Sequence, residues 1–228
     1  MKKILLALTL LCSAVFAQPE DSDFSYWPRS YFASISFSVI ANRGDLFDRS
    51  MVLKYDWIEE TVHLPNTKVL VSPDYNIGVN IREFTFSASF QYWSMLGSIP
   101  TLPEPINEQN MNYWRFGIEA TYNFFYPEFF QVGVGLGYSF SKLTTENNVS
   151  NYKGYFNSEL NGSAIALVSH IRYLITDNFG LISSLRVYEN WYKSVYTKNS
   201  GTIDFHEVGD SYYWQTYIAI SIGAMVQF

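Results

Sequence analysis

The sequence predicts an all-β chain: an eight-stranded antiparallel, up-and-down β-barrel that crosses a membrane, with short turns at one end and long loops at the other. Three observations predict it. Segment after segment alternates apolar with small or polar residues, the period of two that a strand with two different faces requires. Phe, Trp and Tyr make up 18% of the chain, a composition suited to rings that sit half in an apolar medium and half in water. Beyond residue 17 no apolar run approaches the roughly 17 to 25 residues a spanning helix needs, so strands must do any crossing.

The start of the chain supplies the compartment. Lys2 and Lys3 precede an apolar run over 4–11, and Val15 and Ala17 stand where a signal peptidase reads small residues, so a secretory leader over 1–17 is expected. Leu11 occupies the position where lipid attachment at Cys12 would need Gly or Ala, which argues for simple cleavage after Ala17. The expected organisation is therefore a signal peptide at 1–17, a short N-terminal segment at 18–30 and one barrel domain at 31–228. Loss of the leader removes the single cysteine, so neither a disulfide framework nor thiol chemistry is expected. It also makes the net charge of −6 more negative, which excludes an electrostatic nucleic-acid binder.

The strands follow in order. Residues 31–41 set Tyr31, Ala33, Ile35, Phe37 and Val39 against Ser34, Ser36 and Ser38; residues 75–81 set Tyr75, Ile77, Val79 and Ile81 against Asn76, Gly78 and Asn80. The phase breaks at Arg82-Glu83, a tight turn into 84–92, where Phe84, Phe86, Ala88, Phe90 and Tyr92 oppose Thr85, Ser87, Ser89 and Gln91. Residues 114–123 and 130–140 form the next pair across "YPEF", the second carrying Gly133, Gly135 and Gly137 on its small-residue face to make room for long side chains opposite. Residues 165–175 turn through "TDNFG" into 181–190, and 215–228 is the eighth strand. The remaining connections, 43–74, 94–112, 143–162 and 192–211, read as long polar loops.

The polar face decides between the two closed barrels that fit. A soluble barrel with an apolar interior would carry charged residues freely outside, whereas here the second face is mainly Ser, Gly, Asn, Thr and Gln. Small polar side chains fit a narrow lumen, and the large apolar face fits lipid. Trp93, Trp114, Trp191 and Trp214 fall near the loop end, and Tyr126, Phe129, Phe130, Tyr173 and Phe228 near the turn end, the expected pair of aromatic girdles.

On the leader, the strand count, the turn "LITDNFGL" and the terminal "IAISIGAMVQF", the chain resembles the small eight-stranded outer-membrane barrels of the OmpA and OmpX type. The resemblance implies residence in a bacterial outer membrane among its lipid and lipopolysaccharide, periplasmic turns and extracellular loops. It also implies recognition by the barrel-assembly machinery through Phe228, Val226, Ala224, Ile222 and Ile220.

Counting up from the turns places Glu119, His170 and Arg186 at a similar depth, all facing inward. A charge there must be paired, because isolating it in a low-dielectric interior is costly. The expectation is a polar plug in which Glu119 pairs with Arg186, His170 bridges, and Arg82, Arg115 and Arg172 extend the network toward both ends, with loop carboxylates or anions balancing the basic excess. "GVGLG" is strand, lacking the loop-to-helix setting of a nucleotide site, so no cofactor is expected.

Catalysis is not expected either. Barrels resembling lipid A deacylases place His and Ser two apart on one face, whereas Ser169 and His170 are adjacent and so face opposite ways. Asp204 and His206 are two ligands at most, too few for a metal site, and His63 falls in a loop. The sequon "NVS" over 148–150 has no meaning in a bacterial envelope. Two roles remain. One is a structural or surface-interaction protein that offers Trp57, Tyr152, Tyr155, Phe156, Tyr192 and Tyr196 from its loops to an extracellular ligand or surface. The other is a narrow channel for small or apolar solutes.

Overall fold

The computed structural model describes residues 30–44, 49–55, 58–64, 70–98, 108–125, 129–150, 154–198, 201–205 and 212–228. The leader, the segment up to residue 29, Trp57, Tyr126, Tyr152 and His206 lie outside the described residues. In chain order the strands are β1 (Ser30–Gly44), β2 (Arg49–Tyr55), β3 (Ile58–Leu64), β4 (Leu70–Ile81), β5 (Phe84–Ser98), β6 (Glu108–Phe125), β7 (Phe130–Ser150), β8 (Gly154–Leu174), β9 (Phe179–Thr197), β10 (Gly201–Asp204) and β11 (Tyr213–Gln227).

Eight of these are barrel staves. β1, β4, β5, β6, β7, β8, β9 and β11 each pair antiparallel with the next, and β11 returns to β1. The closing seam runs from Phe32↔Gln227 to Gly44↔Gln215. Just beyond it Tyr31 N–H donates to the Phe228 carbonyl at 2.8 Å and Phe228 N–H to the Tyr31 carbonyl at 2.9 Å. Closure matters because lipid offers no partner to a free strand edge.

The turns are tight where the sequence breaks phase. Arg82 adopts φ = 53° between β4 and β5, a left-handed position that two-residue hairpins demand. Between β8 and β9, Ile175 N–H and Thr176 N–H both donate to the Phe179 carbonyl, at 2.8 and 3.0 Å. The Asn178 side chain ties that turn to the last strand by donating to the Gln227 carbonyl at 3.0 Å.

Polarity across the wall changes sign part-way up. From the turn end to the level of Trp114, Phe140, Ile165 and Ile218, large apolar residues point outward and stay exposed, Ile118 at 62% and Ile222 at 69%, while Ser, Asn, Thr and Arg are buried inside. An outer face of that kind is stable in lipid and insoluble in water. Above that level the pattern inverts. On β6 Asn110 and Asn112 face out while Met111 and Tyr113 are buried; on β7 Lys142 and Thr144 face out while Leu143 is buried; on β8 Glu159 and Asn161 face out while Leu160 is buried. The outer polar groups pair with each other, as in the Lys142 Nζ to Glu159 Oε2 contact of 2.5 Å. The surroundings of the wall have changed from lipid to water, and the inside responds with an apolar core.

This inversion corrects the expectation of long loops. β7 and β8 continue as one hairpin past Ser141 and Gly162 to Ser150 and Gly154, β9 runs on to Thr197, and β10 pairs back onto it. A strand keeps its backbone bonds paired on either side of the interface. Its apolar residues merely swap faces there, so outward alternation vanishes without the strand ending.

The 43–74 connection also carries structure. β2 and β3 form a hairpin, and β3 pairs with β7 through Glu60↔Ser150 and Thr61↔Val149. β7 stands three staves from β4 and four from β1, so the hairpin spans the barrel mouth. Val62 is buried in the apolar core beneath, and Thr197 Oγ1 donates to Glu60 Oε2 at 2.8 Å.

Candidate functional site in the barrel lumen

The lumen is filled in two layers. The lower one is built on Arg186 of β9, whose five N–H donors each find an acceptor. Nε donates to Glu119 Oε1 at 2.9 Å and Nη2 to Glu119 Oε2 at 3.1 Å; Nη1 donates to Asp74 Oδ2 at 2.6 Å and to Ser184 Oγ at 2.5 Å; Nη2 also reaches Asn76 Oδ1 at 3.1 Å. Five bonds satisfy the guanidinium completely, and two of its partners are carboxylates.

Arg115 lies on the same β6 face as Glu119 but is less well matched. Its Nη1 is 3.9 Å from Glu119 Oε1, it donates to Gln91 Oε1 at 3.3 Å and Ser89 Oγ at 3.1 Å, and its guanidinium carbon sits 4.3 Å from the centre of the Tyr188 ring. Nearer the turn end Arg172 donates to Asn80 Oδ1 at 2.8 Å and Gln131 Oε1 at 3.1 Å and rests 4.0 Å from the Phe32 ring centre. A chain continues from Thr85 Oγ1 to Asn80 Oδ1 and from Asn123 Nδ2 to Thr85 Oγ1, at 2.7 and 3.0 Å. His170 Nε2 lies 3.0 Å from Asn123 Oδ1, and since that oxygen only accepts, Nε2 carries the proton. Gly133 and Gly137 leave room for this layer: a Cβ at Gly133 would meet His170 Cε1 at 2.8 Å, and one at Gly137 would meet Glu119 Cγ at 3.1 Å. Between these groups remains a void of about 10 Å³, near the size of one water.

The upper layer is aromatic. Trp93 stacks on Tyr113 with centroids 4.0 Å apart and meets Tyr217 edge-on at 5.9 Å; Tyr113 and Tyr217 are 5.2 Å apart. Tyr113 OH and Ser141 Oγ both donate to Asn190 Oδ1 at 3.1 Å. Above the rings lie Leu143, Leu160, Val195, Ile203 and Phe205, capped by Val62 of the hairpin.

Several sequence expectations change. Glu119 and Arg186 meet, but His170 does not bridge them: it sits lower, on Asn123. Arg82 is exposed in its turn and joins no lumen network, because the two-residue hairpin points it away from the barrel. Trp93 is buried inside instead of standing in the outer girdle, since the alternation that points Tyr92 outward points its neighbour inward. Tyr192, expected as a loop contact, is wholly buried, whereas Tyr196 is exposed. Trp114 and Trp214 face outward and exposed, Trp191 is half-buried, and at the turn end Phe129 and Tyr173 meet at 6.0 Å with Phe130 half-buried beside them. Ser169 is half-buried on the outer face and His170 buried inside. Among the described residues no three His, Cys, Asp or Glu side chains gather as a metal ion would need.

Asp74 was missed and is central. The strand was read from Tyr75, yet extending its alternation one step back puts Asp74 on the face of Asn76, Gly78 and Asn80; Pro73, which reads as a loop residue, hid it. The aromatic layer was equally legible as the inward partners of Tyr92 and Trp114.

The same architecture occurs in solved structures. The chain superposes on the outer membrane protein OprG from Pseudomonas aeruginosa with a TM-score of 0.56 at 8% identity, covering 91% of this chain and 99% of that one. Neisserial surface protein A gives 0.49 at 13% identity over 87% and 97% of the two chains, and Ail, the attachment invasion locus protein of Yersinia pestis, gives 0.45 at 12% over 88% and 99%. At these identities the likeness is one of fold: a closed, eight-stranded antiparallel barrel of the outer-membrane kind. No protein-family model matches the sequence, and no curated protein matches it either.

Proposed function

We propose that this chain is exported by its leader to the bacterial outer membrane, seals its own lumen, and acts through the water-exposed upper part of the barrel as a surface-contact protein. On this reading the membrane turns are periplasmic and the β2–β3 hairpin and the extended β7–β8 hairpin are extracellular. One observation carries it: the lumen is blocked twice, by the Arg186 layer and by the Trp93, Tyr113 and Tyr217 layer. An eight-stranded barrel has room for side chains and little else. Single-channel recording in planar bilayers tests it. The native barrel is expected to give no steady conductance steps; steady steps from the unmodified protein would make it a channel instead.

Assembly supplies a second test. The Phe228 side chain is 69% exposed with its ring centre 6.3 Å from that of Tyr31, and its backbone makes only the last two hydrogen bonds of a seam that runs on from Phe32↔Gln227, so it adds little to the finished fold. If Phe228, Val226, Ala224, Ile222 and Ile220 are read by the assembly machinery, deleting Phe228 lowers the amount of heat-modifiable barrel in the outer membrane several-fold. The same deletion leaves the urea midpoint of detergent-refolded protein nearly unchanged. Equal losses in both measurements would make the residue structural only.

A further inference from the structure

We propose that the lumen holds one buried halide ion, chloride in the cell, in the void between the Arg186 and Arg172 layers, with Arg172 and Thr121 donating to it. The void has room for one water-sized particle, and both residues line it. Each also carries a buried donor without a partner, Nε of Arg172 and the hydroxyl of Thr121. The printed bonds of Arg172 all run from Nη1, to Asn80 and Gln131, and the Gln131 amide leaves its own Nε2 donor unmet. The layer is short of acceptors, and buried donors rarely go without one.

Charge says which acceptor is missing. The described residues bury three arginines in the barrel, Arg115, Arg172 and Arg186, and three carboxylates, Asp74, Glu119 and Glu60. Glu60 lies at the mouth, bonded by Thr197, which stands fifteen residues along β9 from Ile182, the register neighbour of Arg172. That is about 50 Å of extended strand, too far to serve the turn end. Asp74 and Glu119 both pair with Arg186, and Glu119 is also 3.9 Å from Arg115. Glu119 borders the void, but Arg186 takes both its oxygens. Arg172 forms no ion pair among the described residues; two amide oxygens and the Phe32 ring hold it. One positive charge is left over, and it is the one beside the void. A water there would accept from Arg172 and Thr121 yet leave a full charge uncompensated inside a wall that borders lipid, which is costly. An anion supplies acceptor and charge together. Size selects the class: a void for one water excludes phosphate, sulfate and carboxylates and admits a single-atom anion. The buried cluster of Phe32, Ile182 and Met225 packs the turn end, so the ion is taken up as the barrel folds.

This goes beyond the surface role above and is read by stability and diffraction, not conductance, so the two stand or fall separately. The test refolds the full chain from urea into detergent in sodium chloride or sodium gluconate, at equal ionic strength and pH, and measures the urea midpoint. Chloride is expected to raise the midpoint saturably above its value in gluconate, as a ligand of the folded state alone does, and bromide to do the same. Thr121→Val raises the half-saturating chloride concentration by about tenfold. Arg172→Gln abolishes the response. Should that variant fail to show heat-modifiable mobility, crystals of the native barrel grown in sodium bromide carry the test. Anomalous scattering is then expected to place one bromide within hydrogen-bond distance of Arg172 and Thr121. Equal midpoints in chloride and gluconate, a response that Arg172→Gln retains, or bromide absent from the void and found on the surface as an adventitious ion only would each overturn the proposal.

Discussion

Arg186→Ala is expected to destabilise the folded barrel by about 3–5 kcal/mol, the cost of leaving a buried ion partner uncompensated. The geometry sets the size. Asp74 Oδ2 and Glu119 Oε1 lie 2.6 and 2.9 Å from the guanidinium, both side chains are buried, and Arg115 at 3.9 Å is too far to replace what is lost. Glu119→Gln is a milder change, because Asp74 still faces Arg186 and the amide oxygen still accepts. The quadruple change Asp74→Asn, Glu119→Gln, Arg186→Met, Arg115→Met removes every charge of the cluster, including the Arg115 guanidinium 3.9 Å from Glu119, and recovers most of the loss, since buried ion pairs hardly outperform well-packed neutral groups. Urea unfolding in lipid vesicles, followed by heat-modifiable mobility, measures all three. A loss below about 1 kcal/mol for Arg186→Ala would mean that water reaches the cluster and screens it.

Ile118→Arg should cost about 2–4 kcal/mol in vesicles, because this side chain stands midway up the lipid-facing band of β6. Thr144→Arg, also outward-facing but on the β7 extension, should change stability by less than about 0.5 kcal/mol. The contrast measures where lipid ends. It also separates a membrane barrel from a soluble one, in which an exposed Ile118 would accept arginine as readily as Thr144 does. Equal, small costs at the two sites would remove the lipid from around Ile118.

How much of this could be read in advance depends on what each residue answers to. The eight staves were legible because lipid outside and a narrow lumen inside impose opposite demands on successive residues, as in Phe37 and Ser38 or Ile118 and Glu119. The upper strands were not: at Lys142 and Leu143 the same alternation continues with its sign reversed, and a reading that follows outward apolar residues takes the reversal for a loop. Glu119 and Arg186 share a depth that counting along strands can find. Asp74 reaches them from a strand two staves from that of Glu119 and three from that of Arg186, next to a proline that disguises the strand.

The sequence by itself determined the period, the number of staves and which face meets lipid, because these are properties of consecutive residues and of the medium they border. Only the tertiary structure decided that Arg186 has two carboxylates at close range and Arg115 one at 3.9 Å, that Trp93 lines the lumen, and that a hairpin from one wall covers the mouth to reach the other. Those facts depend on the register between strands distant in the chain, where closure and shear, not local alternation, settle which side chains meet.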